Sequence, residues 1–299
     1  MAAGKHGIEK KREKPSALRI ILIVLIVALS GVFLVSGFML AREWIRDETE
    51  KSAFNELTEI KKHAAEKAAN AVRPGGAADP GESDTASSEK DPGGDPDEDP
   101  GGDPAGSDVT ALYEELAAMN GDLFGWVTID GTVLDYPVMF TPKNPEYYLR
   151  RGFDKKYSYS GVPFMDGKCV PDGNHYLIYG HNMKNQTMFS ILPKYQKKSY
   201  FEEHPIIKFD TLNESREYQV MAAFRSRAYG ADETGVFRYY AYADLTKESR
   251  FEEYVKNCLR ASAYKTGVTA EFGDELLTLS TCDYQTEHGR FVVVAKRIK

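Results

Sequence analysis

ELLTLSTCDYQTEHGRFVVVAKRI, Glu275 to Ile298, holds two β-type runs joined by a polar turn. ELLTLSTC and RFVVVAKRI are rich in the residues that suit a pleated, half-buried surface, and DYQTEHG supplies the connection. The stretch therefore predicts a hairpin. Cys282 closes the first strand and Arg290 opens the second, so a hairpin pairing brings the two side chains to the same sheet edge.

The hairpin ends a series of such runs. GWVTIDGTVLDYPVM, Gly125 to Met139, has an Asp-Gly turn between two β-type runs, and HYLIYG and YQVMAAF are further short segments of the same kind. One strong helical pattern interrupts the later part, with Phe251, Tyr254, Val255, Cys258 and Leu259 on one face after Glu248. A short amphipathic helix with Leu112, Leu116 and Met119 at helical spacing, Val109 to Met119, marks the start of the folded domain at residues 109–299. No βαβ alternation is present, which excludes a parallel doubly wound sheet. The expected class is mainly β: a closed or nearly closed antiparallel barrel with a few peripheral helices.

The 299 residues carry a formal charge of −7, and its distribution is uneven. Pro74 to Asp108 contains eleven acidic residues against one Lys, a net of −10, which leaves about +3 for all other residues together. The same segment holds six of the 14 prolines and eight of the 25 glycines and no aromatic residue. It cannot bury enough surface to offset its ordering entropy, so residues 74–108 read as a disordered acidic linker. An acidic tail that recruits a basic partner is the alternative. As a flexible chain the linker spans roughly 30 Å root-mean-square.

Ile20 to Ala41 is an uninterrupted run of 22 uncharged, mostly aliphatic residues. As a helix it is about 33 Å long, the thickness of a bilayer's hydrocarbon core. The preceding basic tail, residues 1–19, carries Lys5, Lys10, Lys11, Arg12, Lys14 and Arg19 against two acidic residues. That bias predicts a single-pass signal anchor at the cell membrane, with the N-terminus in the cytosol and the rest outside. A cleaved signal peptide is the competing reading, but LVSGFMLAREW offers only a poor cleavage site. Residues 42–73 are rich in Ala, Glu and Lys and predict a juxtamembrane helix; its thin apolar face suggests a stalk or weak self-association element rather than part of a core.

The chain contains no GxGxxG or P-loop, no cluster of basic and aromatic residues outside the membrane, and no EF-hand spacing, so nucleotide and nucleic-acid readings have no support. The three cysteines differ in setting. Cys258 lies on the apolar face of its helix and reads as a small core residue. Cys169 lies in the loop MDGKCVPDGN with no role assigned. Cys282, at a strand end facing Arg290, is the candidate nucleophile: a guanidinium near a thiol favours the thiolate and can donate to a developing oxyanion. A thiol of this kind needs a proton-handling partner. His181 follows HYLIYG and opens the loop HNMKNQT, which puts it at a strand end. A plain loop histidine accounts for the same spacing. His175 falls in or at the start of its strand, His204 reads as a surface turn, and His288 reads as a solvated turn residue.

TLSTC at Thr278 to Cys282, the following Arg290, YGHN at Tyr179 to Asn182 and GWVTIDGTVLDYPV at Gly125 to Val138 together resemble the sortases of Gram-positive bacteria, most closely class B. The resemblance covers Val109 to Lys299. It implies a twisted eight-stranded β-barrel with His181 as general acid/base, Cys282 as nucleophile and Arg290 as the oxyanion or substrate-orienting group, with no cofactor. It also implies partners: secreted proteins with a C-terminal sorting motif, and a peptidoglycan or pilin amine as acceptor. Ser280, Thr281 and Asn182 are candidates for lining the substrate groove. A thiol peptidase that only hydrolyses, or a non-catalytic barrel that binds cell-wall peptide, would share most of these features.

Overall fold

The structure is a computed structural model that describes residues 17–71 and 105–299; most of the expected basic tail and acidic linker lie outside the described residues. The chain divides into two compact units, Met1–Glu50 and Lys51–Lys299. The first is built on the apolar part of helix α1 (Ala17–Ala71), whose run of Leu, Ile, Val and Phe side chains is exposed. This helix is long and apolar enough to cross a membrane.

The second unit is a closed eight-stranded barrel. After helix α2 (Ala105–Met119) come β1 (Leu123–Thr128), β2 (Asp135–Met139), β3 (Phe164–Met165) and β4 (His175–Tyr179). Helix α3 (Lys198–Glu203), β5 (Ile206–Thr211), β6 (Glu217–Arg227), helix α4 (Glu248–Ala261), β7 (Leu276–Cys282) and β8 (Gly289–Arg297) complete it. Around the barrel the order is β1-β2-β3-β4-β7-β8-β6-β5, and β5 pairs with β1 to close it. Closure leaves no unpaired edge to template aggregation.

The barrel is mixed rather than wholly antiparallel. β2 pairs β3 in parallel, and β4 pairs β7 in parallel over His175↔Leu276 to Tyr179↔Ser280. Parallel neighbours need a long crossover, and β5, β6 and α4 all lie between β4 and β7 in sequence. β5 was not expected from the sequence, although its inward residues alternate with outward ones, with Ile207, Phe209 and Thr211 buried. Two-residue β3 is too short to carry a pattern. On α4, Phe251, Tyr254, Val255 and Cys258 are buried as the spacing predicts, while Leu259 is exposed at the edge of that face.

The juxtamembrane segment departs from the stalk expectation. Phe54, Leu57 and Ile60 recur every third residue and meet a second apolar cluster with Tyr113, Leu116 and Trp126, in which Leu57 is buried. Phe54 sets its ring edge-on to Tyr136 at 5.4 Å. One turn beyond Leu57, the Lys61 Nζ lies 2.8 Å from Asp135 Oδ1 and 4.6 Å from the Trp126 ring centroid. Trp126 Nε1 and Thr128 Oγ1 donate to the same carboxylate oxygen. Burial raises the Asp135 pKa, but Lys61 and these donors outweigh it and hold the carboxyl below its usual range. A three-residue stripe suffices here because an ion pair extends it.

The segment between β6 and β7 is tied to the barrel by a buried polar chain. His175 Nδ1 is 2.8 Å from the Tyr242 carbonyl, so it must donate; Nε2 then accepts from Thr278 Oγ1 at 2.9 Å, and Thr278 accepts from the Tyr254 hydroxyl at 2.7 Å. Burial lowers the His175 pKa to about 4, which keeps this imidazole neutral.

Candidate active site

Three strand ends meet at one mouth of the barrel. In the β7–β8 hairpin Cys282 and Arg290 are direct cross-strand partners, as the sequence predicts. On the other side of β7, the parallel pairing reaches Tyr179↔Ser280. Carrying that register two residues further sets His181 beside Cys282. The register of β7 against β4 and β8 thus brings an imidazole and a guanidinium to either side of one thiol.

Local features hold this alignment. The Gly180 amide donates to the Ser280 carbonyl, and a Cβ at Gly180 would meet the Phe189 ring at 2.6 Å, so the chain can pass here only as glycine. Thr281 Oγ1 donates to the Gly180 carbonyl at 2.7 Å, and Asn182 Nδ2 donates to the Cys282 carbonyl at 2.9 Å. In the hairpin turn His288 has a φ of 54°, and a Cβ at Gly289 would lie 2.3 Å from the Asp283 carbonyl. Only glycine fits that close approach. Asp283, buried beside the cysteine, pairs with Arg225 Nε at 2.6 Å and anchors the turn.

The three side chains line a groove of 300 Å³ together with Leu149, Tyr179 and Ser280; Glu146 and Asp166 add two carboxylates to its wall. Thr281 borders it as well. The Asn182 side chain instead donates to the Cys282 carbonyl, and Asn182 is not among the residues lining this groove. His181 Nε2 lies 2.9 Å from the Leu149 carbonyl. A carbonyl only accepts, which fixes the proton of the neutral ring on Nε2 and leaves Nδ1 as the basic nitrogen. Arg290 Nη1 donates to the Gly289 carbonyl at 3.0 Å and so keeps its guanidinium at the hairpin.

The other thiols lie elsewhere. Cys169 is buried with its sulfur accepting from the Leu177 amide at 3.3 Å, and burial pushes its pKa up to about 12. Cys258 is fully buried under α4, with its pKa likewise raised by burial. Neither forms thiolate readily. His288 is exposed in its turn, consistent with a solvated role.

Several groove residues gave no signal in the sequence. Leu149 and Glu146 come from the 3-10 turn Tyr147–Arg150 and its flank, and Phe164 and Asp166 from β3 and the residue beyond it. Tyr239, buried, reaches the Ser280 hydroxyl at 2.7 Å. Such contacts arise from segments distant in sequence.

Fold and site together define a class: a closed β-barrel whose mouth carries a cysteine between a histidine and an arginine. A sequence profile of the Sortase domain matches residues 127–298. The chain belongs to the sortase family. It is 32% identical over 195 residues to sortase B of Staphylococcus aureus, covering 64% of this chain and 76% of that protein. The structure of the Staphylococcus aureus sortase B–substrate complex superposes with a TM-score of 0.64 at 25% identity, covering 85% of this chain and 99% of that one. A structure of sortase B complexed with triglycine gives a TM-score of 0.64 at 26% identity, again over 85% of this chain and 99% of that one.

Proposed function

We propose that the protein is a membrane-anchored cysteine transpeptidase of class B type, acting on secreted proteins through an acyl-enzyme on Cys282. The observation that carries this reading is the double register of β7, which sets Cys282 opposite Arg290 and beside His181 at one groove. The thiolate sulfur attacks the carbonyl carbon of a peptide bond lying in the groove. A C–S bond forms, the carbonyl oxygen takes the negative charge, and the Arg290 guanidinium donates to it. As the tetrahedral species collapses the C–N bond breaks, and His181 Nδ1–H, protonated at this stage, gives its proton to the departing amine. The acceptor amine then attacks the thioester carbonyl, its surplus proton returns to His181, and the C–S bond breaks to restore the thiolate. The apolar helix α1 supplies the membrane anchor in this reading, with the barrel outside the cell where translocated proteins emerge. The partners are then a sorting-motif protein as acyl donor and a peptidoglycan or pilin amine as acceptor, in keeping with a relative solved with a substrate and another solved with triglycine.

The test is chemical. Incubation with a library of sorting-type peptides and hydroxylamine should release the acyl part as a hydroxamate, and a glycine oligomer should redirect it to an amide. Cys282→Ala should give neither product, while Cys169→Ala and Cys258→Ala keep both. Cleavage that yields the same free acid with or without the glycine oligomer would replace transpeptidation by hydrolysis, and labelling of Cys282 without any cleavage would leave a binding barrel.

A further inference from the structure

The rim of the groove next to His181 has a chemistry of its own. Tyr147 to Tyr159 carries Arg150, Arg151, Lys155 and Lys156 against one acid, Asp154. Both lysines are matched, Lys155 with Asp122 at 2.9 Å and Lys156 with Asp154 at 3.1 Å. The arginines are not: among the described residues Arg150 donates to the Tyr159 carbonyl and Arg151 to the Lys155 carbonyl, and neither meets a carboxylate. Each lies over a ring, Arg150 4.8 Å from the Tyr159 centroid and Arg151 4.6 Å from that of Tyr147. A stacked guanidinium keeps its in-plane N–H donors for a ligand while the ring holds its orientation.

Exposed arginines on tyrosines are common on solvated faces. The position of Arg150 sets it apart. It directly follows Leu149, whose carbonyl fixes the His181 imidazole, and Leu149 itself lines the groove. From the other side comes Tyr284, two residues past Cys282, with its hydroxyl on the Asn182 carbonyl at 2.6 Å and 68% of its surface exposed. Partial burial raises the Tyr284 pKa; Cys282 and Tyr159 add to the rise and Arg150 opposes it. The groove wall carries the carboxylates of Glu146 and Asp166 alongside the Arg290 guanidinium, whereas on this rim the arginines meet no carboxylate among the described residues.

We propose that Arg150, seated on the Tyr159 ring next to the groove residue Leu149, forms an acceptor subsite that binds a carboxylate carried by the incoming amine. It rests on the acyl-transfer reading above. A peptide acceptor has its ammonium and carboxylate at opposite ends, about 10 Å apart in an extended triglycine. The cationic rim repels the first and attracts the second, so the acceptor is oriented amine-first towards the thioester. Arginine suits this role because its planar fork meets a carboxylate through two parallel N–H donors.

The experiment compares triglycine with triglycinamide, which differ only in the carboxylate, as acceptors of the acyl-enzyme formed by the full chain in detergent. Wild type should use triglycine roughly 5- to 10-fold better in kcat/KM, through KM, and the advantage should shrink as salt is raised. Arg150→Gln should bring the ratio to about one, and Arg150→Lys should keep part of it. The ratio is internal to each variant, so a folding defect, which lowers both rates together, cannot imitate its collapse. Equal use of the two acceptors by wild type, or an undiminished ratio in Arg150→Gln, would overturn the subsite. Failure of hydroxylamine to release a hydroxamate from the wild-type enzyme would overturn the acyl-transfer reading first, and the subsite with it.

Discussion

The two ends of the β1–β2 and β7–β8 hairpins are stabilised by different means. Where α1 and α2 cover β1 and β2, the contact is apolar: Leu57, Tyr113, Leu116 and Trp126 bury their side chains around a single ion pair, Lys61 with Asp135. At the mouth formed by β4, β7 and β8, the ties run to the backbone, through Thr281 to the Gly180 carbonyl and Asn182 to the Cys282 carbonyl. Apolar packing contributes stability in proportion to area but tolerates sliding, whereas hydrogen bonds to a carbonyl fix direction. The covered side should therefore govern whether the unit folds, and the mouth should govern whether it acts.

The sharpest way to break this division is at Arg290. Its guanidinium bonds to carbonyls of its own hairpin and faces the groove, so Arg290→Ala should leave thermal unfolding nearly unchanged. The same change should lower turnover at least about 100-fold, roughly 3 kcal/mol of transition-state stabilisation. Arg290→Lys should lose most of the activity too, because an ammonium cannot reproduce the fork. Steady-state kinetics beside calorimetry separates the two effects; a large fall in melting temperature for Arg290→Ala would mean the mouth carries stability after all.

The next effect belongs to neither contact but to the start of β4, which lies between β3 and β7 in the barrel. His175 is buried with its pKa lowered to about 4 from an ordinary value of 6.5. The unfolded chain then binds a proton that the folded one refuses. Stability is full above pH 6.5, falls as pH drops through the window from 6.5 to 4, and levels off below, a loss of about 3 kcal/mol from this residue. Denaturant melts across that window should show the slope, and His175→Gln should flatten it. An unaltered slope in the variant would assign the pH dependence to the carboxylates.

Leu57→Ala tests the covered side directly. The side chain is buried in the second cluster, and its truncation should cost about 2–3 kcal/mol with kcat unchanged. It also bears on the extent of the folded unit. The sequence puts the folded domain at residues 109–299; the apolar contacts of Phe54 and Leu57 argue that a fragment of those residues alone is destabilised, with Trp126 and Tyr136 more exposed on β1 and β2. We propose that it still folds, since the closed barrel is complete within it.

What the sequence made legible follows from range. The β7–β8 hairpin could be read because its partners lie eight residues apart and Cys282 meets Arg290 by local pairing. The β4–β7 pairing could not, because nothing in HYLIYG specifies a parallel partner about a hundred residues away, and so His181 stayed open between a catalytic and a plain loop residue until family resemblance pointed to it. Leu149, which orients that histidine, carries no pattern at all: its contribution is a backbone carbonyl, which every residue has. The covering helix was misjudged for a related reason. Three apolar residues among Ala, Glu and Lys look too few for a core until Trp126, on a different element, supplies the other half.

The smallest expected effect lies at Asn182, and it sharpens the comparison most. Its amide was a candidate for the groove, but it donates to the Cys282 carbonyl instead. If the mouth is an aligning device, Asn182→Ala should cost only about 1 kcal/mol of stability, the net worth of one ordinary hydrogen bond. Its larger signature should be kinetic, a fall in kcat of several-fold with KM little changed, because the strand bearing the thiol is freer to drift from His181. Asn182→Asp offers the converse: it keeps the shape but presents an acceptor to an acceptor, so it should be worse than the alanine. Were Asn182→Ala instead to raise KM at constant kcat, the side chain would belong to substrate binding, and the ties at the mouth would be shown to serve more than alignment.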